Sequence, residues 1–187
     1  MLGIKRRPRV IRASVKRCEI LGWAHLIEKF LITEGNYNAI LANPTRLREH
    51  NITKIYLRDK KLPSEILRKF QQIKNVEIFV NYAESNAILA HTHIHLKGDE
   101  LHLARKLQDS SANHKVLSYS AHSLEDIISA HQAKIDFIFI GPIFAVENKN
   151  VPLGIEFLKQ IPREIKPKIF ALGGINERNI HLFENLG

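Results

Sequence analysis

From residue 29 onward the chain repeats one beat: a short apolar run, polar or glycine punctuation, then a helix-like pattern. The apolar runs fall at 30–32, 55–57, 76–80, 94–96, 116–117, 135–140 and 169–172. Several are rich in β-branched or aromatic residues, as buried strands are. Seven such runs alternating with helical segments predict parallel strands joined by crossover helices.

Helix signals sit between the runs. Pro63 suits a first helical turn, where its missing N–H is not needed, and Ile66, Leu67, Phe70 and Ile73 then share one face. Ser123 is placed to cap a helix, with Asp126 three residues on and Leu124, Ile127 and Ile128 following. Asn176 is placed to cap a last helix that buries Ile180 and Phe183 with Leu182 beside them, closed by Gly187. Asn43-Pro44 opens a short helix through Arg48.

The runs end in Thr33-Glu34, Arg58-Asp59-Lys60, Asn81, Lys97-Gly98-Asp99, Ser118 to His122, Gly141-Pro142 and Gly173-Gly174. Polar, cationic and glycine residues therefore gather at the strand C-termini, the edge where parallel α/β folds bind ligands. Arg58 and Lys60 bring positive charge, and Gly173-Gly174 lets backbone N–H groups approach a phosphate at a helix N-terminus. The pattern predicts an α/β enzyme for a phosphate ligand, a TIM (β/α)8-like barrel rather than an open sheet.

Composition narrows this further. The 187 residues suffice for one domain with a real core, and 44% apolar with 25% charged residues excludes collagen, coiled coil and bulk disorder. No stretch approaches the roughly 20 apolar residues of a membrane span, so no membrane partner is expected. Cys18 is alone, which suits a reducing cytoplasm. The net charge of +9 is uneven: residues 1–28 hold seven Lys/Arg against Glu19 and Glu28. Residues 1–28 are read as a basic extension and 29–187 as the barrel domain. No apolar run follows the first charges, so the start does not read as a secretory signal. A nucleic-acid arm is one use of such a segment; a solvated tail or short basic helix is preferred, and nucleic acid is not expected as a partner.

Candidate chemistry follows from position. Alternation puts Arg58 and Lys60 on one side of a strand end, where two cations can hold a diphosphate and stabilise it as it leaves, or can be a solvated pair. His91, His93 and His95 form H-x-H-x-H. That spacing can hold a metal, but the preferred reading makes His95 a satisfied interior histidine and the others loop residues. His122 lies between a strand and a helix, beside Ser118, Ser120 and Ser123. It suits proton transfer or an ordinary capping role. Lys149 follows Gly141-Pro142-Ile143-Phe144 in a loop that is either mobile or a lid over a ligand.

These segments together resemble the thiamine phosphate synthase / TenI-like thiazole tautomerase family. The resemblance rests on Tyr56-Leu57-Arg58-Asp59-Lys60, Phe79-Val80-Asn81, Ile94-His95-Leu96 and Ser120-Ala121-His122-Ser123-Leu124-Glu125. It also rests on Gly141-Pro142-Ile143-Phe144 with Pro152-Leu153-Gly154, and on Ala171-Leu172-Gly173-Gly174-Ile175-Asn176. It implies a compact (β/α)8 barrel. In the family the synthase joins hydroxymethylpyrimidine diphosphate to thiazole phosphate and releases diphosphate, with Mg²⁺. The tautomerase rearranges a thiazole carboxylate phosphate and needs no metal. Carried over by motif, Arg58, Lys60, Asn81, Ser120 and Lys149 take the diphosphate or pyrimidine region. Gly173 and Gly174 take the thiazole phosphate, and His122 matches the tautomerase acid/base.

The departures bear on activity. The synthase usually has Gln where this chain has Tyr56, and a Mg²⁺-binding Asp where it has Tyr82. A phenol is a poor substitute for a carboxylate on a hard cation. Asp99 or Glu100 falls where the second metal carboxylate is expected, beside Lys97. Seven strands are visible where the family has eight, so a shortened or degenerate member with its eighth strand missing is expected. The tautomerase is read first and the synthase second, with a catalytically inactive ligand-binding barrel as a further alternative. A homo-oligomer is left open.

Overall fold

The computed structural model describes residues 29–33, 35, 37–59, 61–82, 92–110, 115–176, 178–183 and 186. The basic extension 1–28, Lys60, His91 and Gly187 lie outside the described residues. Seven strands form one parallel sheet in chain order: β1 Lys29–Thr33, β2 Ile52–Leu57, β3 Glu77–Asn81, β4 His93–Lys97, β5 Leu117–Ala121, β6 Phe137–Ile140 and β7 Ile169–Ala171. Among the described residues six helices accompany them: α1 Tyr37–Leu41, α2 Thr45–Glu49, α3 Ser64–Gln71, α4 Ala104–Ser110, α5 Leu124–Gln132 and α6 Ile155–Lys159. This is the TIM-barrel-like α/β architecture that the alternating pattern predicts.

Strand alternation explains why the sheet needs cover on both faces. Leu31, Ile55, Leu57, Ile78 and Val80 point outward and pack with Leu47, Leu67 and Phe70 of the helices. Ile94, Leu96, Leu117, Ile138, Ile140 and Ile169 do the same on the other half of the sheet, with Ile127 and Leu158. The opposite face carries Phe30, Ile32, Tyr56, Phe79, Phe139 and Phe170. These cluster because the sheet curls. The Phe30 ring of β1 meets Phe79 of β3 at 4.9 Å, Phe139 of β6 at 4.9 Å and Phe170 of β7 at 5.0 Å, all edge to face. Side chains from first and last strands can touch only across the inside of a nearly closed cylinder.

Capping follows the sequence closely. The Ser123 hydroxyl accepts the Asp126 N–H at 3.0 Å and starts α5, where Ile127 is buried but Ile128 is exposed. Pro63 immediately precedes α3, which buries Leu67 and Phe70. The expected last helix is a 3₁₀ turn, Ile180–Phe183, that buries Phe183 and leaves Leu182 exposed. Asn176 still opens that segment, its side-chain oxygen accepting the Arg178 N–H at 2.9 Å. Among the described residues no helix is long and apolar enough to cross a membrane.

Candidate active site

The inner face changes character towards the strand C-termini. Below lie the phenylalanines; above them Tyr56, Asn81, His95, Ser118 and Ser120 come from β2 to β5. Parallel register brings them side by side, with Asn81 opposite His95, His95 opposite Ser118 and Lys97 opposite Ser120. The sequence reading took Ser118 to His122 as the loop after a strand. The structure carries β5 on through Ala121, because its serines face inward and its Leu117, Tyr119 and Ala121 face the helices.

His95 is the centre of this layer and is fully buried. Its Nδ1 lies 2.9 Å from the Ser118 hydroxyl and its Nε2 lies 2.9 Å from the Ser120 hydroxyl. Tyr56 covers one side of the ring at 4.2 Å between centroids, and Phe139 stacks at 5.3 Å. Burial, then the nearby charges of Lys97 and Arg58, push the imidazole pKa down to about 3. The ring is therefore neutral at physiological pH. The preferred expectation for His95, a satisfied interior histidine, matches this geometry. His93 lies on the same strand rather than in a loop; its Nδ1 accepts the Val116 N–H at 3.2 Å, and burial lowers its pKa. Among the described residues no three His, Cys, Asp or Glu side chains form a metal-holding group.

Asn81 braces two strand ends. Its side-chain oxygen accepts the Tyr56 hydroxyl at 2.5 Å, and its Nδ2 donates to the carbonyls of Arg58 (3.1 Å) and Asp59 (2.9 Å). Arg58 is thereby held at the end of β2, where its own N–H continues the ladder to Thr33 at 3.0 Å. The Asp59 carboxylate accepts the Gly35 N–H at 3.1 Å. Lys97 ends β4 with its N–H donated to Glu100 at 2.8 Å.

The glycine end of the rim is built by packing loops against each other. Ile143 N–H donates to the Leu172 carbonyl at 2.8 Å, and Phe144 N–H to the Gly173 carbonyl at 3.0 Å. Gly173 and Gly174 have φ of +86° and +71°. A Cβ on Gly173 would meet Pro142 at 2.6 Å, and one on Gly174 would meet Phe144 at 2.6 Å. Neither glycine N–H has a partner among the described residues. The Gly174 carbonyl accepts from the side chains of Asn176 and Asn179 at 3.1 and 2.9 Å.

The remaining candidates are more dispersed. His122 is exposed at the end of β5; its N–H donates to Asp126 at 2.8 Å, and its ring has no hydrogen bond among the described residues. Lys149 is exposed on the loop before α6. Asp99 and Glu100 open the 3₁₀ turn after β4, with Asp99 exposed and Glu100 half-buried. One Glu100 oxygen accepts the Lys97 N–H, and both side chains are oxygen donors of the kind that a hard cation takes. Tyr82 packs against the apolar cluster outside the sheet. Sequence reasoning missed the Tyr56 hydroxyl, the Ser118 side of His95 and Lys97 as a rim cation. The signal available for them was period-two alternation in His93-x-His95-x-Lys97 and Ser118-x-Ser120.

Comparison with known proteins gives four findings. A family profile described as thiamine monophosphate synthase matches residues 31–187. A thiamine-phosphate synthase of Dictyoglomus turgidum is 28% identical over 174 residues, 86% of this chain and 74% of that protein. One of Prochlorococcus marinus is 35% identical over 97 residues; the match takes in 51% of this chain but only 27% of that protein's length. Among solved structures, a thiamine phosphate pyrophosphorylase from Pyrococcus furiosus superposes with a TM-score of 0.68. That match covers 86% of this chain and 81% of the other at 21% identity, and the likeness is one of fold.

Proposed function

The chain belongs to the thiamine monophosphate synthase family, and from that premise we propose that it is a transferase joining hydroxymethylpyrimidine diphosphate to thiazole phosphate with release of diphosphate, in the cytoplasm. The observation that carries this reading is that Arg58, at the end of β2, and Lys97, at the end of β4 opposite Ser120, stand on the same C-terminal edge of the sheet above the buried His95 ring. Two cations at one end of the curled sheet suit a departing diphosphate. The departures from the family pattern, Tyr82 above all, put the tautomerase first. The relatives' names support the synthase instead, and so does His122, whose ring nothing among the described residues orients.

In this reading Arg58 and Lys97 bind the diphosphate, and Lys60 and Lys149, matched by motif, add further positive charge. Ser120 and Asn81 face the pyrimidine half. The N–H groups of Gly173 and Gly174, unpartnered among the described residues, hold the thiazole phosphate, as backbone donors beside glycine do for anions. The thiazole nitrogen forms a bond to the pyrimidine methylene as the methylene–oxygen bond breaks. The bond electrons leave with the diphosphate, where the cations stabilise the growing charge. Asp99 and Glu100 would hold Mg²⁺, which when bound neutralises phosphate charge. Aromatic walls from Tyr56 and Phe139 exclude water from the lower interior.

The test is diphosphate release by the purified protein given both substrates and Mg²⁺, beside an assay of thiazole tautomerisation. The expected result is diphosphate release that falls about 10²-fold or more in Arg58→Ala, the scale of a lost transition-state contact. Tautomerisation without diphosphate release refutes the proposal and restores the first reading. Turnover of neither substrate with thiazole phosphate still bound selects the inactive barrel.

A further inference from the structure

The inner face contains a hydrogen-bonded line of which the functional assignment uses only the Ser120 end: Ser118, His95 and Ser120, at 2.9 and 2.9 Å. We propose that His95 is a positioning residue that fixes the direction of this line, so that Ser120 presents its O–H, and not only a lone pair, to an acceptor atom of the bound pyrimidine diphosphate. The proposal rests on the synthase reading for the identity of that ligand.

The argument is one of donor and acceptor bookkeeping. A neutral imidazole has one N–H and one lone pair, so its two serine bonds must run in opposite senses. Ser118 is fully buried, and its hydroxyl has no other hydrogen bond among the described residues. A buried O–H without an acceptor is costly. The Ser118 proton is therefore donated to Nδ1. That choice makes His95 the Nε2–H tautomer, and Nε2–H then donates to the Ser120 oxygen. With its oxygen accepting from below, Ser120 is left with its proton free to point upward. Ser120 is the half-buried end of the line, beside Lys97 in the register.

The surroundings hold the ring in this state. Tyr56 and Phe139 clamp the ring from two adjoining sides, so it cannot turn without unpacking the interior. Burial, and after it the charges of Lys97 and Arg58, oppose a second proton on the ring. The Tyr56 hydroxyl is itself bonded to Asn81, which ties the clamp to the arginine-bearing strand end. Burial first, and the rim cations after it, keep the imidazole neutral, and neutrality is what gives the line a direction.

The test combines nitrogen NMR of the histidine rings with a double-mutant cycle. In the unliganded protein the His95 nitrogens should report a single Nε2–H tautomer from pH 5 to 8. Ser118→Ala removes the donor at the far end and is expected to lower kcat/KM for the pyrimidine diphosphate about tenfold, the worth of one hydrogen bond. In a Ser120→Ala background the same change should cost less than about twofold, because the line then leads nowhere. Tighter binding of inorganic diphosphate by wild type than by Ser118→Ala would identify a phosphate oxygen as the acceptor; equal binding would identify the pyrimidine ring. A wild-type Nδ1–H tautomer, or losses that multiply in the double variant, overturns the proposal. Should Ser118→Ala fail to fold, the wild-type tautomer alone decides. A wild type that releases no diphosphate refutes the synthase reading, whereas an Nδ1–H ring in an active synthase refutes only the relay.

Discussion

A histidine buried between two serines gives the protein a specific acid sensitivity. The His95 pKa of about 3 lies far below the ordinary value of 6.5 that the ring regains on unfolding. As pH falls through 6.5 the unfolded chain takes up a proton and the folded chain does not. The stability contributed by the neutral ring is thus complete above about pH 6.5 and is lost progressively towards pH 3. The slope is up to about 1.4 kcal/mol per pH unit for one proton. His93, lowered chiefly by burial, acts in the same direction. Urea unfolding followed at pH 7, 6 and 5 should show the midpoint falling steadily, before most carboxylates titrate. An unchanged midpoint across that range would show that His95 is solvated. The sequence made three histidines visible and could not say what they touch. Burial and partners come from strands β4 and β5, 23 residues apart in the chain, and only register joins them.

At the level of elements, the strands were legible wherever both faces are apolar, as in β6 and β7. β5 was cut short because half of it is serine and the other half is apolar, a pattern shared by half-buried strands and loops alike. Arg58 and Asn81 were legible as rim residues, since each directly follows or ends an apolar run. The role of Asn81 as a brace was not, because its partners are backbone carbonyls. The paired glycines were read as room for a phosphate; the structure adds that they are also where two loops touch. Gly174→Ala would place a methyl 2.6 Å from the Phe144 Cβ at a φ of +71°. The neighbouring atoms include Phe144 backbone, which cannot swing aside. A loss of about 1–3 kcal/mol is expected, read as a lower Tm, together with at least tenfold weaker binding of inorganic phosphate. Full stability and full phosphate affinity in this variant would remove the glycine pair from the proposed site.

Over the whole molecule, the barrel depends on one aromatic contact set more than on any single strand pair. The sheet is hydrogen-bonded from β1 to β7 in sequence, but those bonds fix neighbours, not curvature. Curvature is set by what fills the concave side, and Phe30 is the residue that reaches β3, β6 and β7 at once. Composition and periodicity could predict that an aromatic sits there, but not that four strands meet on it. Phe30→Ala removes a fully buried ring from the junction and is expected to destabilise by about 3–5 kcal/mol. That corresponds to a Tm lower by roughly 10 °C for a domain of this size. The loss should extend to function, because the polar layer of His95 and Ser120 rests directly on Phe139, which packs on Phe30. Phe30→Leu keeps the volume nearer to native and should recover most of the stability. Ile128→Ser, on the exposed side of α5, should stay within about 0.5 kcal/mol and serves as the control. A Phe30→Ala protein as stable as the control would mean that the interior is not packed around this ring. The strand ends would then lack the fixed spacing on which a shared diphosphate and phosphate site depends.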